Sequence, residues 1–165
     1  MGQLHLLDIA VVEKDVCQTP DEVARDVVRF FDPRGVCLDP CRGDGAFYRY
    51  LPAGTDWCEI GEGRDFFAYD RRVDWIVSNP PYSVFSQWLR HSFTVADDIV
   101  YLIPVNKAFN SYRLMREIYE WGGIRCIYVV DSGGRLGFEV GFAVGAVHFR
   151  RGYRGFTEVV FRENL

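Results

Sequence analysis

Lysine is almost missing from this 165-residue sequence, which carries its positive charge on arginines and keeps only Lys14 and Lys107. A cationic surplus is missing too: 19 Lys and Arg face 23 Asp and Glu, for a formal net charge of -4. Binding nucleic acid by bulk attraction requires enough positive charge to neutralise phosphates, so a nonspecific binder is disfavoured. A local basic patch stays open, with Arg71, Arg72, Arg150, Arg151 and Arg154 as candidates, although each serves equally well as a solvated surface arginine. The stretch MGQLHLLDIAVVEKD lacks a basic leader and is interrupted by Asp8, Glu13 and Asp15, so it reads neither as a signal peptide nor as a membrane span. The expected location is the cytoplasm. Paired cysteine spacing is absent: Cys17, Cys37, Cys41, Cys58 and Cys126 are odd in number and form no CxxC. Reduced thiols are expected rather than a disulfide framework. His5, His91 and His148 are scattered, so no metal site is expected.

The remaining composition is that of a folded domain. With 48% hydrophobic and 25% charged residues, and 13 Phe, 9 Tyr and 4 Trp, the chain has material for a core and for stacking on flat ligands. A domain of this length buries roughly 70% of the surface its unfolded chain exposes, so one compact domain is expected over 1–165. The sequence has no internal repeat, low-complexity tract or interdomain linker.

From Pro20 onward, short apolar runs alternate with longer amphipathic stretches, the pattern of a parallel sheet joined by crossover helices. The class is α/β. Thr19-Pro20-Asp21-Glu22 signals a helix start, Val23, Val27, Val28 and Phe31 form its apolar stripe, and Asp32-Pro33-Arg34-Gly35 ends it. A first strand over Val36 to Leu38 delivers Asp39, a short helix spans Ala46 to Leu51, and a second strand lies near Trp57, Cys58 and Ile60. Only Gly61 to Arg72 separates that strand from Val73 to Val77, too little for a full crossover, so the sheet is expected to be reduced on this edge. Next come a helix (Val84 to Phe93), a strand (Ile99 to Ile103), a helix (Tyr112 to Trp121) and a strand (Arg125 to Val130). After Ser132-Gly133-Gly134, Val140 to Phe149 reads as an antiparallel strand, and a weak signal for a tail strand lies near Thr157 to Phe161.

Asp39-Pro40-Cys41-Arg42-Gly43-Asp44-Gly45-Ala46-Phe47 sits between a predicted strand and helix, where glycines let the backbone pass close to a ligand. Glu59, twenty residues after Asp39, falls near the end of the next strand, from which an acid can bind both hydroxyls of a ribose. Ser78-Asn79-Pro80-Pro81-Tyr82 follows an apolar strand. Its two prolines give up two donors and fix two φ angles, so the carbonyls of Asn79 and Pro80 and the Asn79 side-chain amide are held as acceptors. Together they can accept both hydrogens of an amino group, while Tyr82 stacks on the ring that bears it.

These two motifs, in this order, resemble the S-adenosylmethionine-dependent amino-methyltransferases, which include DNA adenine-N6 and protein glutamine-N5 methyltransferases. The resemblance covers about residues 17 to 149. It implies a Rossmann-like class I methyltransferase sheet, mostly parallel, with one antiparallel strand near the carboxyl terminus. It implies S-adenosylmethionine as cofactor, bound by the loop residues Asp39, Pro40, Cys41, Gly43, Gly45 and Phe47 and by Glu59. Asp65 and Phe66 resemble the loop at the cofactor's adenine, and Gln18-Thr19-Pro20 resembles the segment over its methionine end. Asn79-Pro80-Pro81-Tyr82 is similar to the family's catalytic tetrapeptide. Asn106 and Lys107, ending the next strand on the same edge, are candidates to border the substrate, although a solvated loop accounts for Lys107 equally well. Phe47, Phe66 and Phe67 also suit a core, and Phe67 is assigned there.

The implied reaction is methyl transfer to an amino nitrogen, foremost adenine N6 in DNA. RNA adenine and protein glutamine are alternatives, as is a noncatalytic subunit of a methyltransferase complex. No insertion resembles a target-recognition domain, so a recognition subunit or a homodimer is a possible partner. A cytosine C5 enzyme is disfavoured because the sole Pro-Cys pair, Pro40-Cys41, lies in the cofactor loop.

Overall fold

The computed structural model describes residues 18–137 and 141–163. The amino-terminal stretch read above for a leader lies outside these residues, as does Val140, the expected start of a strand.

Helix α1 spans Asp21–Phe31, with Pro20 preceding its first turn and Asp21 and Glu22 placed where the helix dipole favours negative charge. Thr19 does not cap it, since Pro20 is the capping position and no side chain bonds to the first turn. Val23, Ala24, Val27 and Val28 are buried on one face, each valine contributing about 1.5–3 kcal/mol where burial is complete. Phe31 is half-buried at the rim of this core. Asp32 takes a left-handed conformation (φ 47°), returns its N–H to Val28, and stops the helix ahead of Pro33.

The strands are β1 (Cys37–Asp39), β2 (Asp56–Trp57), β3 (Val73–Ser78), β4 (Ala96–Pro104), β5 (Gly122–Ser132), β6 (Ala143–Arg151) and β7 (Glu158–Phe161). Helices α2 (Phe85–Val95) and α3 (Tyr112–Trp121) flank β4 in sequence. One seven-stranded sheet results, in the order β2-β1-β3-β4-β6-β5-β7. Strand β6 runs antiparallel to both β4 and β5, and all other pairs are parallel.

Two expectations change in detail. The helix expected over Ala46 to Leu51 is a single 3-10 turn, Tyr48–Tyr50, because the segment lies between Gly45 and Pro52 and Leu51 must be extended ahead of proline. The second strand shrinks to two residues, and only 3-10 turns at Ile60–Glu62 and Phe66–Ala68 join it to β3. The edge is reduced, as the short spacing predicts.

Both faces of the sheet are covered. Along β4, Val100 and Leu102 point into a core shared with α1, while Ile99, Tyr101 and Ile103 point into a core shared with α2 and α3. This two-residue alternation explains why β4 reads as an unbroken apolar run. Parallel pairing of β1 with β3 and of β3 with β4 leaves their carboxyl ends side by side. Among the described residues no helix is long and apolar enough to cross a membrane.

Candidate active site

Strands β1 and β3 pair in parallel, which brings Asp39 and Ser78 together at the carboxyl edge. The Ser78 hydroxyl donates to Asp39 Oδ1 at 2.7 Å. Asp39 is only 1% exposed, and its Oδ2 is buried with no hydrogen-bond partner among the described residues. Burial pushes its carboxyl up to about 7, against the Ser78 bond, which favours the charged form. An orphaned buried acceptor is costly unless a ligand donor reaches it.

The loop after Asp39 is fastened to the strand beside it. Cys58 donates its N–H to Asp39 O (2.9 Å), Arg42 donates to Cys58 O (3.0 Å), and Gly45 donates to Arg42 O (2.8 Å). Gly43 and Gly45 have φ of +53° and +89°, a region that side-chain-bearing residues rarely occupy. Open space lies where a Gly43 Cβ would project, so glycine is required there by backbone conformation and not by crowding.

Glu59 follows β2 and is half-buried. Its Oε2 accepts the Gly43 N–H at 2.7 Å, and its Oε1 accepts the Gly61 N–H at 3.3 Å. The predicted ribose acid and the glycine loop are therefore in direct contact. Asp65 accepts the Phe67 N–H at 2.9 Å and so caps the next 3-10 turn. Phe66 is buried, its ring 4.7 Å from those of Trp88 and His91, whereas Phe67 is 41% exposed. The core assignment of Phe67 is thus corrected: the turn set by Asp65 directs Phe66 inward and leaves Phe67 at the rim, its ring 5.4 and 5.7 Å from those of the same Trp88 and His91. Phe47 is buried against the α1 core. Pro40 is buried, and burial, aided by Glu59 and Asp39, pushes the half-buried Cys41 thiol up to about 12, far from thiolate reactivity.

Beyond Ser78 the chain turns through Asn79-Pro80-Pro81-Tyr82, with both prolines buried. The Asn79 side-chain amide donates to the Thr19 hydroxyl at 3.1 Å, which joins the tetrapeptide to the Gln18-Thr19-Pro20 segment. Thr19 and Pro20 are half-buried and Gln18 is exposed. Tyr82 opens a 3-10 turn, half-buried, with its hydroxyl 3.4 Å from Leu102 O on β4. Asn106 (exposed) and Lys107 (half-buried) sit in the 3-10 turn Val105–Ala108 directly after β4, on the same edge.

The arginines considered for a basic patch do not gather here. Arg72 and Arg151 both pair with Asp97, at 2.5 and 2.6 Å, and Arg150 lies 3.8 Å from Asp98. Asp97 and Asp98 begin β4, so these charges cluster at the amino edge of the sheet. Arg71 pairs with Asp56, and Arg154 donates to Gly122 O at 2.5 Å.

Two features at the site escape sequence reasoning. One is the role of Ser78 as the donor to Asp39. The other is an aromatic clamp in which the guanidinium groups of Arg42 and Arg64 lie 3.8 and 4.1 Å from the Trp57 ring. Arg42 also pairs with Glu62, and Arg64 with Asp56 at 2.6 Å. Arg42 thereby ties the glycine loop to the reduced edge. Its position inside the loop is the only signal in the sequence, because a two-residue strand has no periodicity to read.

The donor set fits a cofactor with a nucleoside and a cationic amino acid end. It offers a buried carboxylate with an unused oxygen, a positive-φ glycine loop and a second carboxylate touching that loop. No family model matches the sequence, and no curated protein matches it. Solved structures do. A Listeria monocytogenes protein provisionally assigned as a class I S-adenosylmethionine-dependent methyltransferase superposes with a TM-score of 0.65 at 13% identity, over 94% of this chain and 71% of that one. A Pyrococcus horikoshii protein provisionally assigned as an RNA methyltransferase gives 0.63 at 15% identity, over 86% of this chain and 89% of that one. The M protein of the type I restriction enzyme EcoKI gives 0.60 at 12% identity, over 81% of this chain but 44% of its own length. At such identities the likeness is one of architecture, and the chain has the Rossmann-like class I methyltransferase fold, mostly parallel and reduced on one edge.

Proposed function

We propose that this protein is an S-adenosylmethionine-dependent N-methyltransferase whose acceptor is an amino nitrogen on a flat ring, foremost adenine N6 in DNA. One observation carries the reading: the Asn79-Pro80-Pro81-Tyr82 turn leaves β3 directly beside the Asp39 carboxylate and is held there through Ser78 and Thr19. When bound, S-adenosylmethionine supplies an electrophilic methyl group. Asp39, Gly43, Gly45 and Glu59 hold it, with Pro40, Cys41, Phe47, Asp65, Phe66 and Gln18-Thr19-Pro20 completing the walls.

The Asn79 side-chain oxygen and the Pro80 carbonyl accept the hydrogens of the acceptor's amino group. These bonds strengthen as the nitrogen gains positive charge, which favours the transition state over the ground state. Tyr82, braced toward β4 by its hydroxyl, offers its ring for stacking. An adenine in a duplex must leave the stack to reach such a site, at a cost of a few kcal/mol, so single-stranded or mismatched adenine is the easier substrate. Asn106 and Lys107 border the acceptor. The names of the EcoKI M protein and the Pyrococcus protein bear on DNA and RNA respectively, which keeps RNA adenine as the second reading.

Incubation with methyl-labelled S-adenosylmethionine and separate pools of DNA, RNA and protein tests the reading. Label recovered as N6-methyladenine from DNA is the expected result. Label in RNA adenine or in glutamine moves the substrate, and cofactor binding without transfer to any pool identifies a noncatalytic subunit.

A further inference from the structure

The two edges of the sheet are built differently. Strand β2 is two residues long, and its Asp56 is occupied by Arg64 and Arg71, which blunts that edge. Strand β7, Glu158-Val159-Val160-Phe161, is twice as long and carries a charge only at Glu158, with no lysine, proline or bulge to protect the edge. Among the described residues no strand pairs with its outer side.

The direction of its free backbone groups follows from one bond. Arg162 donates its N–H inward to Val129 O at 2.8 Å. Parallel ladders alternate every two residues, so Val160 and Glu158 also turn their backbone groups toward β5, while Val159 and Phe161 present theirs to the open side. Side chains reinforce this. Val159 and Phe161 stand opposite Ile127 and Val129 on the α3 face of the sheet and are 58% and 71% exposed. The strand is already rigid: Thr157 donates to Ile124 O at 2.7 Å, and Arg162 holds Asp26 at 2.7 and 2.9 Å.

We propose that β7 pairs antiparallel with β7 of a second copy of this chain, about a two-fold axis through Val160. In this register Val159 stands opposite Phe161 of the second copy, and both present outward N–H and C=O groups, so they exchange hydrogen bonds as an antiparallel pair requires. Glu158 then stands opposite Arg162 of the second copy on the same face, so that this guanidinium, already paired with Asp26, gains a second carboxylate neighbour and no like charges meet. Centring the pair on Val159 or on Phe161 instead sets Glu158 or Arg162 against Val160. The exposed Val159 and Phe161 side chains become cross-strand apolar neighbours, which removes a patch that a monomer leaves in water. The contact is isologous and closes as a dimer. A nucleic acid strand suits this edge poorly, because Glu158 repels phosphate and Phe161 is the only ring that β7 offers for stacking.

Sedimentation velocity over a range of concentrations tests this without reference to methyl transfer. The wild-type chain is expected to sediment at twice the monomer mass, with the amide hydrogens of Val159 and Phe161 becoming protected from exchange as concentration rises. Val159→Pro removes only an outward N–H and leaves the β5 ladder intact. It is expected to weaken dimerisation by roughly tenfold or more. Glu158→Arg, on an exposed side chain, sets like charges opposite one another and is expected to do the same while the circular dichroism and melting temperature of the monomer are retained. A wild-type chain that stays monomeric throughout overturns the proposal, including one that assembles through this edge only with an oligonucleotide or another protein. So does a dimer that both substitutions leave unchanged.

Discussion

The Ser78 hydroxyl and the Asp39 carboxylate, 39 residues apart in sequence, meet at 2.7 Å and lock the end of β1 to the residue that introduces Asn79. Ser78→Ala leaves a fully buried carboxylate without this donor. The variant is expected to lose roughly 1–3 kcal/mol of stability, read from urea unfolding. An unchanged midpoint would mean that water or a rearranged neighbour already serves Asp39.

The same carboxylate gives a pH dependence of definite sign. Burial raises it from an ordinary 3.8 to about 7, so between those values the folded chain holds a proton that the unfolded chain lacks. Stability therefore falls as pH rises through that window. Asp97 acts in a different one. Its partial burial opposes ionisation, yet Arg151 and Arg72 hold it below its ordinary value, so its contribution is lost only as pH falls below about 4. Urea midpoints measured between about pH 5.5 and 7, above the range in which Asp97 and the similarly depressed Glu117 titrate in the unfolded chain, should decline in the wild type and flatten in Asp39→Asn. A wild-type profile that is flat there would refute the shift.

Asn79→Ala is expected to lose about a hundredfold in turnover while affinity for S-adenosylhomocysteine, followed by calorimetry, stays near normal. Thr19→Val keeps the Asn79 side chain but removes the acceptor that orients it at 3.1 Å, so a smaller loss of turnover is expected. Normal methylation by Asn79→Ala would sink the catalytic assignment of the tetrapeptide.

Glu59 accepts the Gly43 N–H at 2.7 Å and is also the proposed ribose ligand, so its substitutions should separate two roles. Glu59→Gln retains an acceptor for Gly43 and loses the charge. Glu59→Ala loses both. With charge-assisted bonds worth roughly 1.5–3 kcal/mol each, cofactor affinity should drop about ten- to hundredfold in Glu59→Ala and less in Glu59→Gln. Equal affinity in all three proteins would remove Glu59 from the site.

Local patterns in the sequence specify the pieces of this protein. The span of α3 (Tyr112–Trp121) is legible because its apolar residues recur at helical spacing, and Ser111 caps it through the Leu114 N–H at 3.2 Å. The apolar run before Ser78 marks β3, and two prolines after Asn79 force a turn whatever the surroundings. The reduced edge follows from counting residues between Glu59 and Val73. These effects act over a few residues of chain, so sequence alone reaches them.

Tertiary structure decides what depends on which strands become neighbours. Insertion of β6 between β4 and β5 cannot be deduced from its own pattern, because the alternation of β6 and the turn before it specify pairing with β5 but not which strand covers its other side. Phe66 and Phe67 are adjacent aromatics with the same burial preference and both reach Trp88 and His91, and only the way their turn seats on those rings sets Phe66 beneath, at 4.7 Å from each, and Phe67 at the rim, at 5.4 and 5.7 Å. The Thr19 hydroxyl reads as a helix cap but is the acceptor of Asn79, 60 residues away. A local hydrogen bond competes with any other partner the fold brings within 3 Å or so, and that choice is made when β1 and β3 pair and the start of α1 is carried to their carboxyl ends.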